Sequence, residues 1–476
     1  MGDYNMKARL LAAAMGAATV LAGGNAFAAD LGGNCCADLE ERIAELEATT
    51  ARKGNRKVSL TITGWVSSQL YWFDDGRESN VYVVDNNNDL SSNVKFTGTA
   101  QIAPGWKAGY SLWLYTNGPS SLTANEDWAA SKGGWSVNAE NSYWFIQSDT
   151  LGKLSVGKQS LAADNAALGT DFSGTLFPAN GVTFDGGALA IARHGQYLPG
   201  GGGNTIGGGN GAARWWNVAF WCEQPGVGIA NDCSGLRLNG VRYDTPTFAG
   251  FTLGASWGED DYWDVALRYT GEAAGFKMAF ATAYSESTDQ GLGAGNGAGI
   301  VGVNDSQYFQ VGGMIKHLAS GLWVHGTYGK NWIDNNGPTD LTTDCTGGGA
   351  AGSCPDSITG WYLKGGWTGK LTALGNTHFY GEYGRNEDGF IRGSTIDSTG
   401  GIGGKVAITG TEATRWGLGV VQELDAAAMS LWAKWRHHEL DVTDCGHADD
   451  GCAPGAREKW SADSVDMFLA GAVIFY

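Results

Sequence analysis

The feature that most constrains this chain is how its connections alternate in length. Beyond Arg56, with apolar and polar residues alternating as they do in 262–270 and 275–284, the chain reads as sixteen candidate strands. These are 58–72, 94–103, 107–116, 140–148, 152–159, 236–245, 250–257, 262–270, 275–284, 306–317, 321–331, 358–370, 375–386, 412–423, 428–438 and 463–476. A period of two puts successive side chains on opposite faces of a strand. The links are short at Pro104-Gly105, Thr150-Leu151, Thr245 to Ala249, Gly271 to Ala274, Leu318 to Ser320, Leu371 to Leu374 and Leu424 to Ala427. They are long at 73–93, 117–139, 160–235, 285–305, 332–357, 387–411 and 439–462, with one shorter link of this second kind at 258–261. Tight turns at one end, long loops at the other and an even strand count describe an antiparallel barrel that crosses a membrane. A soluble all-β protein has no reason to sort its connections this way. The expected fold class is therefore all-β: a 16-stranded antiparallel transmembrane β-barrel over residues 57–476, preceded by a short N-terminal coiled-coil helix.

The two ends support export to a bacterial outer membrane. Lys7 and Arg9 precede an apolar run from Leu10 to Ala22, and Ala26-Phe27-Ala28 offers a small-x-small cleavage site. That is the layout of a cleaved signal peptide over 1–28, and the apolar run is too short to span a bilayer comfortably. In the closing segment, Val465, Met467, Leu469, Gly471, Val473 and Phe475 share one face, and the other face is nearly as apolar. Such an extended strand ending on an aromatic resembles the signal read by the outer-membrane assembly machinery.

Between the signal and the barrel, 29–56 forms a periplasmic segment. Asp38 to Thr50 is the one convincing helix, with Leu39, Ile43 and Leu46 at four-then-three spacing. This amounts to two heptads of a coiled coil, which three copies could share on a trimer axis. The plainer alternative is one amphipathic helix packed on something else. Cys35 and Cys36 stand beside it; they either link subunits or remain free or locally oxidised thiols.

Composition removes other classes. With 31 Lys plus Arg against 49 Asp plus Glu, the net charge of -18 leaves no basic footprint for nucleic acid. A mean hydropathy of -0.20 excludes a bundle of membrane helices. The 76 Gly, 20 Trp, 17 Tyr and 17 Phe suit a membrane barrel, which needs tight turns and aromatic girdles.

The run ADLGGNCCADLEERIAELEATTARKGNRKVSLTITGWV, from Ala29 to Val66, resembles the mature N-terminus of alphaproteobacterial general porins. The signal, the strand ladder and the closing AGAVIFY are also similar to that family. The resemblance implies a homotrimer in the outer membrane, among lipopolysaccharide, with a third outer loop folded inward and small hydrophilic solutes and ions diffusing passively. No cofactor and no resident metal are expected.

Selectivity in such a channel arises at the narrowest cross-section. The longest link, 160–235, is the candidate constriction. It carries Asp164, Asp171 and Asp185 with Arg193 and Arg214, and its stretch from Asp164 to Phe184 has acids but no Lys or Arg. Candidate wall cations are Arg268, Lys277, Lys316, Lys364, Lys434 and Arg436, the last two alternating with His438 on one face. Acids facing bases would set a transverse field that orients dipolar solutes, and acids in excess would favour cations.

Three cysteine pairs, Cys222/Cys233, Cys345/Cys354 and Cys445/Cys452, each fall within one long link. In an oxidising compartment local disulfides are the simplest assignment. His437, His438, Cys445, His447 and Cys452 do not have a zinc spacing. No Gly-x-Ser-x-Gly elbow is present, so a barrel enzyme is unsupported. A structural envelope protein tethered through 35–53 remains the alternative to a diffusion channel.

Overall fold

The computed structural model describes residues 57–86, 90–127, 136–181, 185–201, 211–220, 222, 232–233, 237–259, 261–288, 305–334, 355–391, 394–397, 406–445 and 457–476. The expected signal peptide, the coiled coil of Leu39, Ile43 and Leu46, Cys35, Cys36, Cys345, Cys354 and Cys452 lie outside the described residues.

All sixteen candidate segments are strands. They are β1 Thr61–Asp74, β2 Asn93–Ala103, β3 Trp106–Asn117, β4 Ser136–Ser148, β5 Gly152–Ser160, β6 Arg237–Asp244, β7 Phe251–Gly258 and β8 Trp263–Ala273. Then follow β9 Phe276–Ser287, β10 Asp305–His317, β11 Leu322–Asp334, β12 Ser357–Thr372, β13 Gly375–Glu387, β14 Val406–Leu424, β15 Met429–Asp444 and β16 Val465–Phe475. Each pairs antiparallel with the next, from β1–β2 to β15–β16. β16 returns to β1 from Trp65↔Phe475 to Asp74↔Asp466. Closure leaves the wall no free edge, the condition for a sheet to survive in lipid.

The short turns are tight for a local reason. Ala249-Gly250 and Ala274-Gly275 both have positive φ at their two central residues, the twist that matches a two-residue hairpin. Gly250 is needed twice over, because a Cβ there would meet the Thr270 carbonyl oxygen at 2.5 Å.

Side-chain alternation sets the two faces. On β9, Phe276 and Phe280 are exposed outward while Ala279, Ala281 and Ala283 are buried inward. The same parity puts Leu70, Trp144, Leu253, Val324 and Leu418 on the outer face. Outward aromatic pairs mark both rims: Trp263–Tyr284 (5.5 Å) and Trp361–Tyr383 (5.2 Å) toward the long loops, Phe251–Tyr269 (4.6 Å) and Phe276–His317 (4.9 Å) at the short turns. Rings at the two water boundaries are what an interfacial girdle requires. His437 and His438 fall on opposite faces: His437 pairs with Asp466 at 3.0 Å, and His438 lies inside against Trp215.

The structure adds elements to the long links. Ser79–Val84 pairs with the upper half of β1, and Glu458–Ser461 with the upper end of β15. β14 and β15 outrun the expected 412–423 and 428–438 because their pairing continues above the apolar band, through Ile408↔Asp444 and Thr411↔Val442. The third loop, between β5 and β6, holds a 3₁₀ turn at Leu168–Thr170, a small hairpin of Ala192–Arg193 with Gln196–Tyr197, and a five-residue helix, Trp215–Ala219.

The largest apolar cluster lies inside the barrel. Tyr71 and Phe73 of β1, Leu440 of β15, and Val465, Met467 and Leu469 of β16 pack against Leu189, Ile191, Trp215 and Val218 of the third loop. The inner face of this sector is apolar because the loop covers it in place of water.

Candidate pore constriction

The third loop leaves β5 at Ser160 and lies on the inner wall from its first residues. Ala162, Ala163 and Ala166 rest on Ala266, Ala281 and Ala283 of β8 and β9, where only small side chains permit so close an approach. Asp264 accepts the backbone N–H groups of Ala162 (3.2 Å) and Ala163 (2.7 Å). Gln310 accepts from Ala167 N–H and donates to Ala163 O, both at 2.8 Å. At Gly312 a Cβ would come within 2.5 Å of the Ala167 oxygen. Loop and wall are therefore in backbone contact.

Further along, the loop acids meet wall cations directly. Lys364 Nζ donates to Asp171 (2.6 Å) and to the Ala179 oxygen (2.6 Å). Asp185 accepts from Lys434 (2.6 Å) and Arg436 (2.7 Å), with all three side chains at 0% exposure. Lys434 also donates to the Pro178 oxygen at 2.7 Å. Arg436 continues to Glu382 of β13 (2.8 Å), which accepts from Tyr362 O–H at 2.6 Å. Arg415 donates to the Gly181 oxygen and lies 4.9 Å from the Tyr362 ring centre. Between these anchors Phe177 packs on Trp65, Trp432 and Phe475.

Burial alone would raise the Asp185 carboxyl, yet Lys434 and Arg436 outweigh it and hold it at about 2. Asp171 is held below the usual carboxylate range in the same way, burial being overcome by Lys364. Buried charges persist only when paired and hydrogen-bonded, and both acids meet that condition.

The remaining expected residues have different surroundings. Asp164 is 3.4 Å from Arg237. Arg214 is buried and joins Glu126 of the second loop at 2.7 Å, tying loop to loop. Arg193 lies 5.0 Å from the Trp460 ring centre. Arg268 donates to the Ala162 oxygen. Lys277 and Lys316 are directly opposite one another across β9 and β10, with Lys277 4.9 Å from the Phe172 ring centre. Cys222 and Cys233 are joined in a disulfide; Cys445 is also disulfide-bonded. The structure thus brings Asp171 with Lys364, and Asp185 with Lys434 and Arg436.

A family description of Gram-negative porins matches residues 12–432. The chain belongs to the Gram-negative porin family. Its barrel is a channel of the outer membrane. No curated protein matches the sequence. Among solved structures, the anion-selective porin from Comamonas acidovorans is similar at a TM-score of 0.50 and 14% identity, over 88% of this chain and 100% of that one. OmpT of Vibrio cholerae (TM-score 0.45, 14% identity, 89% and 99%) and Salmonella typhi OmpF in complex with daunomycin (0.45, 12%, 89% and 99%) are also similar. At 14% identity the likeness to the Comamonas acidovorans porin speaks for the fold alone.

Sequence reasoning missed one wall of this porin. The described part of loop 3 is bonded to β6, β7, β8 and to strands from β10 to β15, and its Phe177 ring packs on β1 and β16; none of its hydrogen bonds, ion pairs or ring contacts reaches Lys95, Lys107 or Lys153 on β2, β3 and β5. Inward-facing parity follows from the register: Lys95↔Trp113 beside Asn93↔Tyr115, and Lys107↔Gln147↔Lys153. All three lysines are half-buried, and none has a carboxylate within 4.0 Å among the described residues. The alternation around them was visible in sequence; which stretch of wall the loop would leave uncovered was not.

Proposed function

We propose that this porin is a homotrimeric diffusion channel that prefers small anions, from the alphaproteobacterial branch of the family. One observation carries the ion preference: Asp171 and Asp185 of loop 3 are consumed in buried pairs and Asp164 faces Arg237, whereas Lys95, Lys107 and Lys153, with Lys277 and Lys316 near the short turns, have no carboxylate within 4.0 Å among the described residues. Charges at the narrowest section, not the chain's overall -18, set selectivity. A cation preference would need acids in excess there, and the pairing removes them. Anion selectivity is also how the Comamonas acidovorans porin is described. Asp171, Asp185, Lys364, Lys434 and Arg436 act in this reading as the pins that hold the constriction, with no catalytic role for any of them.

The finer assignments follow the sequence. Residues 1–28 serve as the signal peptide, Leu39, Ile43 and Leu46 meet their copies on the trimer axis, the closing strand is read by the assembly machinery, and lipopolysaccharide surrounds the outer rim. Single-channel recording in planar bilayers tests the central points. Three equal closing steps and a reversal potential of anionic sign under a salt gradient are expected. One-step closure counts against the trimer, and a cationic sign against the lysine wall.

A further inference from the structure

The uncovered wall carries more than charge. Between the lysines, β4 turns Phe145 and Tyr143 inward, and Trp113 of β3 stands in the row of Lys95. Reading up from the short turns, the rows are Lys107–Gln147–Lys153, then Gly109–Phe145–Ser155, then Ser111–Tyr143–Gly157, then Lys95–Trp113–Asn141. Alternate residues of a strand are separated by roughly 6.8 Å, so this is one stripe about 20 Å long with cations at both ends. Lys153 Nζ is 4.6 Å from the Phe145 ring centre and 5.3 Å from that of Tyr143, and Lys95 Nζ is 5.7 Å from that of Trp113.

Phe145 and Tyr143 each have a glycine on one side and a serine on the other. A Cβ on Gly109 would come within 2.4 Å of Phe145 Cζ, so that ring lies across its neighbour's bare backbone. Gly157 likewise stands beside Tyr143, in a backbone conformation with φ of +130. The three rings are half-buried, and Trp113 also lies 5.9 Å from the Trp65 ring centre and 6.0 Å from the Arg237 guanidinium.

We infer that this stripe is a binding track for aromatic carboxylates. The inference deepens the anion reading and rests on it for the lysines, while the rings carry the new claim. A carboxylate needs an ammonium partner; a flat ring needs an aromatic face at a centroid distance of 4.5–7 Å. Lys153 beside Phe145 and Tyr143 supplies both within the length of a benzoate, whereas the Trp113 ring higher up already packs on Trp65 and Arg237. A solute carrying both groups makes both contacts; chloride or acetate makes one.

The test is block of chloride current through the intact trimer by benzoate, compared with cyclohexanecarboxylate, which has equal charge and similar size but no aromatic face. In the wild type benzoate blocks at a concentration lower by roughly two- to ten-fold, the worth of one aromatic pair. The double variant Phe145→Leu with Tyr143→Leu abolishes that difference while the chloride reversal potential stays put, because the lysines remain. Lys107→Gln with Lys153→Gln weakens block by both acids alike and shifts the reversal potential. Retained heat-modifiable migration of each variant shows that the barrel is folded. Equal block by the two acids in the wild type overturns the aromatic track. So does a preference for benzoate that survives F145L/Y143L. A cationic reversal potential in the wild type instead overturns the anion reading beneath it.

Discussion

Asp185→Asn removes one charge from a sealed cluster. Asp185 touches Lys434 and Arg436 at 2.6 and 2.7 Å, and the side chains are fully buried. Nearby, Arg415 and Arg436 share the Glu382 neighbourhood. Three cations therefore face two carboxylates, and the substitution leaves three facing one. Removing one partner of a buried pair costs about 3–5 kcal/mol, because the other charge stays desolvated. That corresponds to roughly two to four powers of ten in the ratio of docked to undocked loop. The amide has nearly the size and shape of the carboxylate it replaces, so loss of charge is the main change. Single-channel recordings of D185N are expected to show larger, noisier openings than wild type, with frequent transitions as the loop leaves the wall. Adding Lys434→Met removes the stranded cation, and replacing a buried pair by apolar groups is often neutral; the double variant is expected to return to quiet conductance. A D185N channel with wild-type conductance and noise would refute the pinning argument.

Three further outcomes follow from the same geometry. Because the Asp185 carboxyl is depressed to about 2, its contribution is complete above the ordinary carboxylate value of about 4 and is lost as pH falls through 2; conductance is expected to be steady from about pH 8 to 4 and to become noisy toward pH 2. Gly312→Val drives a side chain into the Ala167 backbone and is expected to change conductance in a barrel that still folds, whereas Gly313→Ala, outward with its nearest contact at 3.4 Å, is expected to change nothing. Cys222→Ser with Cys233→Ser opens a link between residues 11 apart and is expected to cost about 2–3 kcal/mol, read as an earlier thermal transition of the trimer in detergent.

The strand ladder was legible in sequence because alternation and turn chemistry are local. Ala274-Gly275 announces its turn, and Phe276, Lys277, Met278 and Ala279 announce the strand that follows. The upper ends were less legible, since β14 and β15 continue on residues such as Thr411 and Asp441 that suit loops equally well. Inside the lumen the limit was different. Asp171 and Lys364 are separated by 193 residues, and no spacing says that a loop acid will reach that wall lysine. Acids and bases were recognisable as opposite partners, but direct contact and an open gap between them give opposite selectivity. The sequence shows that Leu469 and its neighbours on β16 are apolar, and only the packing of Leu189, Ile191 and Trp215 explains why Leu469 and Tyr71 are apolar on the inner face. Lys95, Lys107 and Lys153 acquire significance only by being left uncovered.

The measurement that bears most directly on the account is the reversal potential of the wild-type channel under a tenfold KCl gradient, repeated with Lys95, Lys107 and Lys153 replaced by Gln. An anionic sign that moves toward zero in the triple variant is the result this structure leads to. A cationic sign, or an anionic one that the three substitutions leave unmoved, would contradict it.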